Sequence, residues 1–311
     1  MNTSRLKRFA PDCRVALMEQ IEVKLDYVLT AKTPDLAEQE SLLDELRRVL
    51  ELEGREALIE RVAYTWFNRF AAFRYLDAHG WHPFRARVMT APIEGDVLPE
   101  LLQQVSKGVV PEELRDFVSA SRINDLLDGN LKSHNPQAEV QRLLVIGVSQ
   151  YYAVLLPHLF DRIDAYTELL LPDDLLTEHS VVHGFVSEIT DDDCAEVEIL
   201  GWLYQFYISD RKDQVMARKS AVPTEDIPAV TQLFTPHWIV RYLVENSLGR
   251  LWLLNRPGSR LREHMPYYIE GEKNAPGGSP GDFLKITKPE EIRLCDPAVG
   301  SGHMLTYAFD L

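Results

Sequence analysis

Residues 55–79 read REALIERVAYTWFNRFAAFRYLDAH. Leu58, Val62, Thr65, Trp66, Arg69, Phe70 and Phe73 recur at steps of three and four, which predicts a long helix with a broad apolar face. Gly80 supplies the stop, because a helix is commonly closed by a residue in the left-handed conformation. Aromatic residues this dense on a helical face suit core packing better than a base-stacking surface. Outward from this segment, residues 4–79 read as helical. Leu25, Val28 and Leu29 share one face, and Leu42, Leu43, Leu46, Val49 and Leu50 share another, with a turn or helix start at Thr33-Pro34-Asp35.

The chain then becomes less regular. Residues 81–100 hold three prolines and a glycine and read as irregular. Short helices are predicted within 111–134. Residues 137–171 read as one buried helix or two, broken near Pro157. Glu198 to Ser209 (EILGWLYQFYIS) is a further aromatic helix, followed by the charged run Asp210-Arg211-Lys212-Asp213 and a connector from Pro223 to Pro228. Residues 231–254 open on a capping pattern and continue as a helix through Ile239, Leu243, Leu248 and Leu251. Residues 271–282, with four glycines and two prolines, are a loop, and Ile292 to Cys295 is read as a β-strand.

Composition bounds the possibilities. At 311 residues the length suggests about two domains. No apolar run approaches the roughly 20 residues of a membrane helix, and the N-terminus has no apolar signal core. Cys13, Cys194 and Cys295 form no CxxC pair, which disfavours a zinc ribbon and suits reduced thiols in a cytoplasmic chain. A net charge of −15 is the wrong sign for a chain whose whole surface grips nucleic acid, although a local basic groove would still allow DNA as substrate.

Two motifs carry chemistry. Residues 291–311 read EIRLCDPAVGSGHMLTYAFDL: an apolar run, Asp296-Pro297-Ala298-Val299-Gly300-Ser301-Gly302, then a helical pattern from Met304. Glycines at 300 and 302 let the main chain approach a ligand where a β-carbon would collide. The following helix would aim its first N–H groups at that ligand. Open α/β sheets bind ligands at this end of their strands. Asp296 suits a cationic or hydroxyl-bearing ligand, such as the amino group or ribose of S-adenosylmethionine (SAM), and the lack of GKS or GKT disfavours a P-loop. The second motif, Gln232-Leu233-Phe234-Thr235-Pro236, lies about sixty residues upstream. Thr235 is placed to cap the next helix and Pro236 to occupy its first turn.

The pair resembles an arrangement in adenine-specific DNA methyltransferases of the amino-methylating class. QLFTP is similar to their QxxTP motif and DPAVGSGHML to their DPACGSGxFL motif, in the same order. TWFNRFAAFRYLDAHGW (65–81) and EILGWLYQFYISDRKDQ (198–214) further resemble the helical N-terminal region of the PglX (BrxX) family, the methyltransferases of BREX phage-defence systems. The likeness runs from about residue 5 to the end. Val299 stands where many relatives have Cys, and His303-Met304 where many have a small residue and Phe. The resemblance implies a mainly α chain: a helical N-terminal domain over 1–225, then the beginning of an α/β Rossmann-like SAM-dependent methyltransferase domain over 226–311. It implies SAM as cofactor, with Thr235, Pro236, Asp296, Pro297, Ala298, Gly300, Ser301 and Gly302 at the cofactor, and DNA adenine as substrate of the intact protein.

The family's catalytic tetrad, [ND]PP[YFW], is not in this sequence. The Asn135-Pro136 pair is followed by Gln137 and precedes the cofactor motif. The expectation is an N-terminal part of a longer enzyme, ending just after the SAM motif, with no catalytic residue and no activity alone. An alternative reading makes the helical region a module that docks other BREX proteins or a phage-encoded inhibitor. A third is a different nucleotide-binding enzyme sharing the loop. No metal site is expected: His179 and His183 lack a third ligand, Asp191-Asp192-Asp193 reads as a solvated turn, and Arg211, Lys212, Arg218 and Lys219 read as a solvated face before a phosphate contact.

Overall fold

The computed structural model describes residues 3–93, 95–157, 160, 166–218, 221–231, 233–270, 283–300 and 302–311. It is mainly helical. The helices are α1 (Thr3–Thr30), α2 (Pro34–Ala37), α3 (Glu40–Glu53), α4 (Arg55–His79), α5 (Glu100–Ser106), α6 (Ala120–Leu127), α7 (Pro136–Leu155), α8 (Tyr166–Leu169), α9 (Val181–Glu188), α10 (Glu198–Tyr207), α11 (Ser209–Ala217), α12 (Ile227–Thr231), α13 (His237–Val244), α14 (Arg250–Asn255) and α15 (His303–Asp310). None is long and apolar enough to cross a membrane. The contacts divide the chain into two compact units, Met1–Ile199 with Phe206–Asp210, and Leu200–Gln205 with Arg211–Leu311.

The first unit is built around α4. Leu58, Val62, Trp66, Phe70 and Phe73 are fully buried, as the helical spacing predicts, but on adjoining faces Ala63 and Phe67 are too, and Ile59 and Ala71 are buried. The helix is therefore a central rod. α1 packs along it through Leu6, Leu17, Ile21 and Leu25, and α9 adds Phe185. The Phe185 ring meets Phe9 edge-on at 5.1 Å and Phe67 at 5.1 Å, and Tyr207 lies 4.5 Å from Phe67. Each such side chain removed from water contributes about 1.5–3 kcal/mol. Gly80 closes α4 in the left-handed conformation at φ 61°.

The irregular stretch after α4 is fixed by one carboxylate. Asp77 is fully buried and accepts from the Val88, Met89 and Thr90 N–H groups at 2.7, 2.8 and 2.9 Å. It also accepts from Thr90 Oγ1 and from His82 Nε2, whose Nδ1 meets the Tyr152 hydroxyl on α7 at 2.8 Å. A loop with no internal ladder satisfies its buried N–H groups here through a side chain of the preceding helix.

The break expected near Pro157 is present: α7 stops at Leu155, and α8 covers Tyr166–Leu169. Other expectations change. The acidic stretch is a solvated turn only in part: Asp191 and Asp192 are exposed, Asp191 pairing with Arg74 at 2.6 Å, but Asp193 is buried, accepts from Thr190 and pairs with Arg5. A buried carboxylate persists only when so partnered. Arg211 and Arg218 both bind the buried Asp226, at 2.8 and 2.9 Å, so those guanidinium groups serve an internal ion pair. The strand read at Ile292–Cys295 is not formed. Among the described residues there is no β-strand, and Leu294 is half exposed. A strand exists only by cross-strand hydrogen bonding, and among the described residues no backbone ladder to this segment forms. The glycine-rich stretch 271–282 lies outside the described residues.

Candidate cofactor site

The second unit brings the two motifs together. Phe234 of the upstream motif donates its N–H to Gln205 Oε1 at 2.6 Å. Its ring lies over Gly201, where an added β-carbon would stand 2.0 Å from Cδ2, so only glycine admits the ring. Trp202 flanks it at 5.2 Å between centroids. On its other side Phe234 stacks on His303, at 4.8 Å and 9° between planes. His303 is the first residue of α15, directly after the glycine loop. Its Nδ1 lies 3.2 Å from the Thr235 carbonyl oxygen.

That last contact explains a departure from the expected cap. Helix α13 starts one residue late, with Pro236 at the N-cap (φ −55°, ψ 143°) and no side-chain cap from Thr235. An N-cap carbonyl accepts the first intrahelical bond. Pro236 does so, from the Ile239 and Val240 N–H groups, while the Thr235 carbonyl is engaged by His303.

In the loop, Gly300 and Gly302 have φ of 53° and 79°, the left-handed region that a side chain disfavours. The space around both is open, so backbone conformation, not crowding, demands glycine there. Asp296 accepts from the Ala298 N–H through Oδ1 at 3.0 Å, which folds the turn back on the carboxylate. Pro297 and Ala298 are exposed, and Asp296, Gly302, Thr235 and Pro236 are half-buried. Gln232 and Ser301 lie outside the described residues. An exposed loop with one free carboxylate oxygen and two left-handed glycines fits a ligand bearing ammonium and hydroxyl groups.

Behind the loop a polar clamp joins α13 to α15. Glu245 is fully buried; its Oε1 accepts from the Tyr307 hydroxyl at 2.9 Å and from Arg241 Nε at 3.3 Å, and its Oε2 from the Tyr267 N–H at 2.6 Å. Arg241 also donates to the Tyr307 oxygen at 3.2 Å and lies over its ring. Burial first, and then the Glu245 acceptor, raise the Tyr307 hydroxyl above its ordinary value, keeping it a donor. Glu245 opens a π-helical turn, Glu245–Gly249. Such a turn leaves carbonyls without their usual donors, and two side chains supply them: Asn246 Nδ2 to Tyr242 O at 2.8 Å and Ser247 Oγ to Leu243 O at 2.7 Å.

Sequence reasoning missed Gly201, Gln205, His303 and Glu245. Gly201 left a trace, a glycine inside an otherwise apolar helical pattern, which commonly marks close packing.

Two relatives that match the whole chain are named adenine-specific methyltransferases. Adenine-specific methyltransferase BrxX of Escherichia coli O9:H4 (strain HS) is 37% identical over 338 aligned residues, which take in 100% of this chain and 27% of that protein. Adenine-specific methyltransferase PglX of Lacticaseibacillus casei (strain Zhang) is 30% identical over 358, taking in 100% of this chain and 29% of that protein. The chain thus resembles BrxX and PglX over its full length while spanning under a third of theirs. No protein-family profile matches it.

Proposed function

We propose that this chain supplies the cofactor-facing part of a SAM-dependent DNA adenine N6-methyltransferase that marks host DNA in BREX phage defence. The observation that carries the reading is the seating of the Phe234-Thr235-Pro236 segment against the exit of the Asp296–Gly302 loop, through His303. Two motifs about sixty residues apart meet as parts of one site. The matching relatives are named as adenine-specific methyltransferases.

In this reading, Asp296 accepts hydrogen bonds from the cofactor's ammonium or hydroxyl groups, and Ala298, Gly300 and Gly302 present main chain to its methionine end. Ser301 belongs to the same set on sequence grounds. Thr235 and Pro236 wall the site from the other motif. Bound SAM supplies the electrophilic methyl group. These residues hold and orient it, and holding reacting groups in place lowers the barrier to transfer. No Asn-Pro-Pro-aromatic tetrad is present to hold an extruded adenine, so the chain alone is expected not to methylate DNA.

Calorimetry with SAM and transfer of labelled methyl to DNA test the proposal. Weak SAM binding, abolished by Asp296→Ala, with no transfer by the chain alone, is the expected outcome. SAM binding untouched by Asp296→Ala, or robust transfer without a partner, would overturn it.

A second reading concerns the first unit, and one surface feature favours it. Trp81 is 59% exposed and lies tilted against His79 at 4.3 Å, with Tyr75 behind at 4.4 Å from His79. The Trp81 backbone N–H donates to the Leu76 carbonyl and His79 Nδ1 meets the Tyr75 carbonyl, which tie the group to α4, and a preorganised, exposed Trp is a typical interface anchor. Other BREX proteins or a phage-encoded inhibitor are the partners proposed for it. Tight, salt-sensitive binding of the chain to bare duplex in a gel-shift assay would count against a purely protein-directed role.

A further inference from the structure

We propose that His303 is a positioning residue: its side chain sets the gap between the two backbone segments that face the cofactor. The inference rests on the SAM reading above.

A carbonyl oxygen only accepts, so the 3.2 Å contact with Thr235 requires the proton on Nδ1. In the neutral ring this is the tautomer that a free imidazole does not favour. The hydrogen bond sets the distance between the segments, and the stack on Phe234, nearly parallel at 9°, sets the tilt. Phe234 is itself immobilised, by its seat over Gly201 and by Gln205. The His237 ring closes the edge at 5.6 Å. On the loop side, His303 directly follows Gly302, whose carbonyl accepts from Thr306 N–H at 2.9 Å to begin α15. One side chain therefore joins the last loop residue to the upstream motif. Packing alone would be served by any apolar side chain of that volume. The bond to Thr235 needs a donor at one ring position.

The test uses the full 311-residue chain and three variants, with folding checked by circular dichroism. His303→Phe keeps a stacking ring and loses the donor. His303→Asn places its side-chain amide near the position of Nδ1. His303→Ala loses both. The first readout is amide exchange at Gly302 and Thr306, expected to quicken about five- to tenfold in the Phe and Ala variants, the effect of one lost hydrogen bond, and to be largely restored by Asn. The second is the nitrogen NMR signature of His303, expected to show the proton on Nδ1. The third is the shift of Gly300 and Gly302 amides on adding millimolar SAM, expected to shrink in Phe and Ala and return in Asn. An unprotonated Nδ1, unchanged exchange in the Ala variant, or SAM shifts identical in all four proteins would overturn the positioning role. Complete absence of SAM shifts in the parent chain would instead refute the cofactor reading, leaving exchange and tautomer to decide whether His303 holds the segments together.

Discussion

Replacing Glu245 by Ala removes the acceptor shared by Tyr307, Arg241 and the Tyr267 N–H. Each hydrogen bond to a charged group contributes about 1.5–3 kcal/mol net. Arg241 is part-exposed at 30% and rehydrates readily, so it adds little. The Tyr267 N–H and the Tyr307 hydroxyl remain, and both have some access to water. The expected loss is about 3 kcal/mol, felt first where α15 docks on α13. Glu245→Gln keeps one acceptor and should cost about half as much. Tyr307→Phe removes one bond and should cost about 1–2 kcal/mol. In a double-mutant cycle, Glu245 and Tyr307 should couple by about 1–2 kcal/mol. Hydrogen exchange of the α15 amides reads this local free energy directly, and urea unfolding gives the global value. A Glu245→Ala loss below about 0.5 kcal/mol, or no coupling to Tyr307, would refute the reasoning that this clamp holds the helix behind the loop.

In the first unit, Asp77→Ala strands two buried N–H groups and a part-buried one and should lower stability by about 3–5 kcal/mol in urea titrations, far more than an exposed Asp192→Ala. Thiol labelling at pH 8 should modify Cys295 alone in the folded chain: Cys295 is exposed, whereas Cys13 and Cys194 are buried, and burial pushes the Cys194 thiol up to about 11. Mass spectrometry of labelled peptides checks this. Burial raises the Glu168 carboxyl above its ordinary value, partly opposed by the Gln150 hydrogen bond. The folded chain then binds that proton more tightly than the unfolded one, so stability should fall as pH rises from the ordinary carboxylate value through the raised one. Glu168→Gln should flatten that fall in denaturant midpoints taken across the window.

What the sequence disclosed follows from the range of the forces involved. The α4 face was legible because burial imposes a three-to-four period: of the seven positions at that spacing, Leu58, Val62, Trp66, Arg69, Phe70 and Phe73 are buried and Thr65 is half-buried. The pairing of the two motifs was legible through resemblance alone; no local signal links residue 235 to residue 303. The Asp77 loop was not legible, since a carboxylate that serves distant N–H groups looks like any helical Asp. The strand at Ile292–Cys295 failed for the opposite reason. Its apolar run is a true local preference, but a strand is a property of two segments. Near the clamp, the sequence carried a clue in its spacing: Leu243 to Leu248 is a step of five, out of phase with an α-helix.

That step of five is also a statement about tolerance. A π turn is an α-helix carrying one surplus residue, and here the surplus separates the buried positions Val244 and Gly249. Losing one residue between them would turn the step of five into the ordinary step of four, which covers nearly the same rotation, so the helix beyond would keep its facing. Which residue is lost then decides the cost. Without Glu245 the acceptor shared by Tyr307 and the Tyr267 N–H is gone. Without Gly249 a side chain would enter the place where a β-carbon already clashes with the Met265 sulfur.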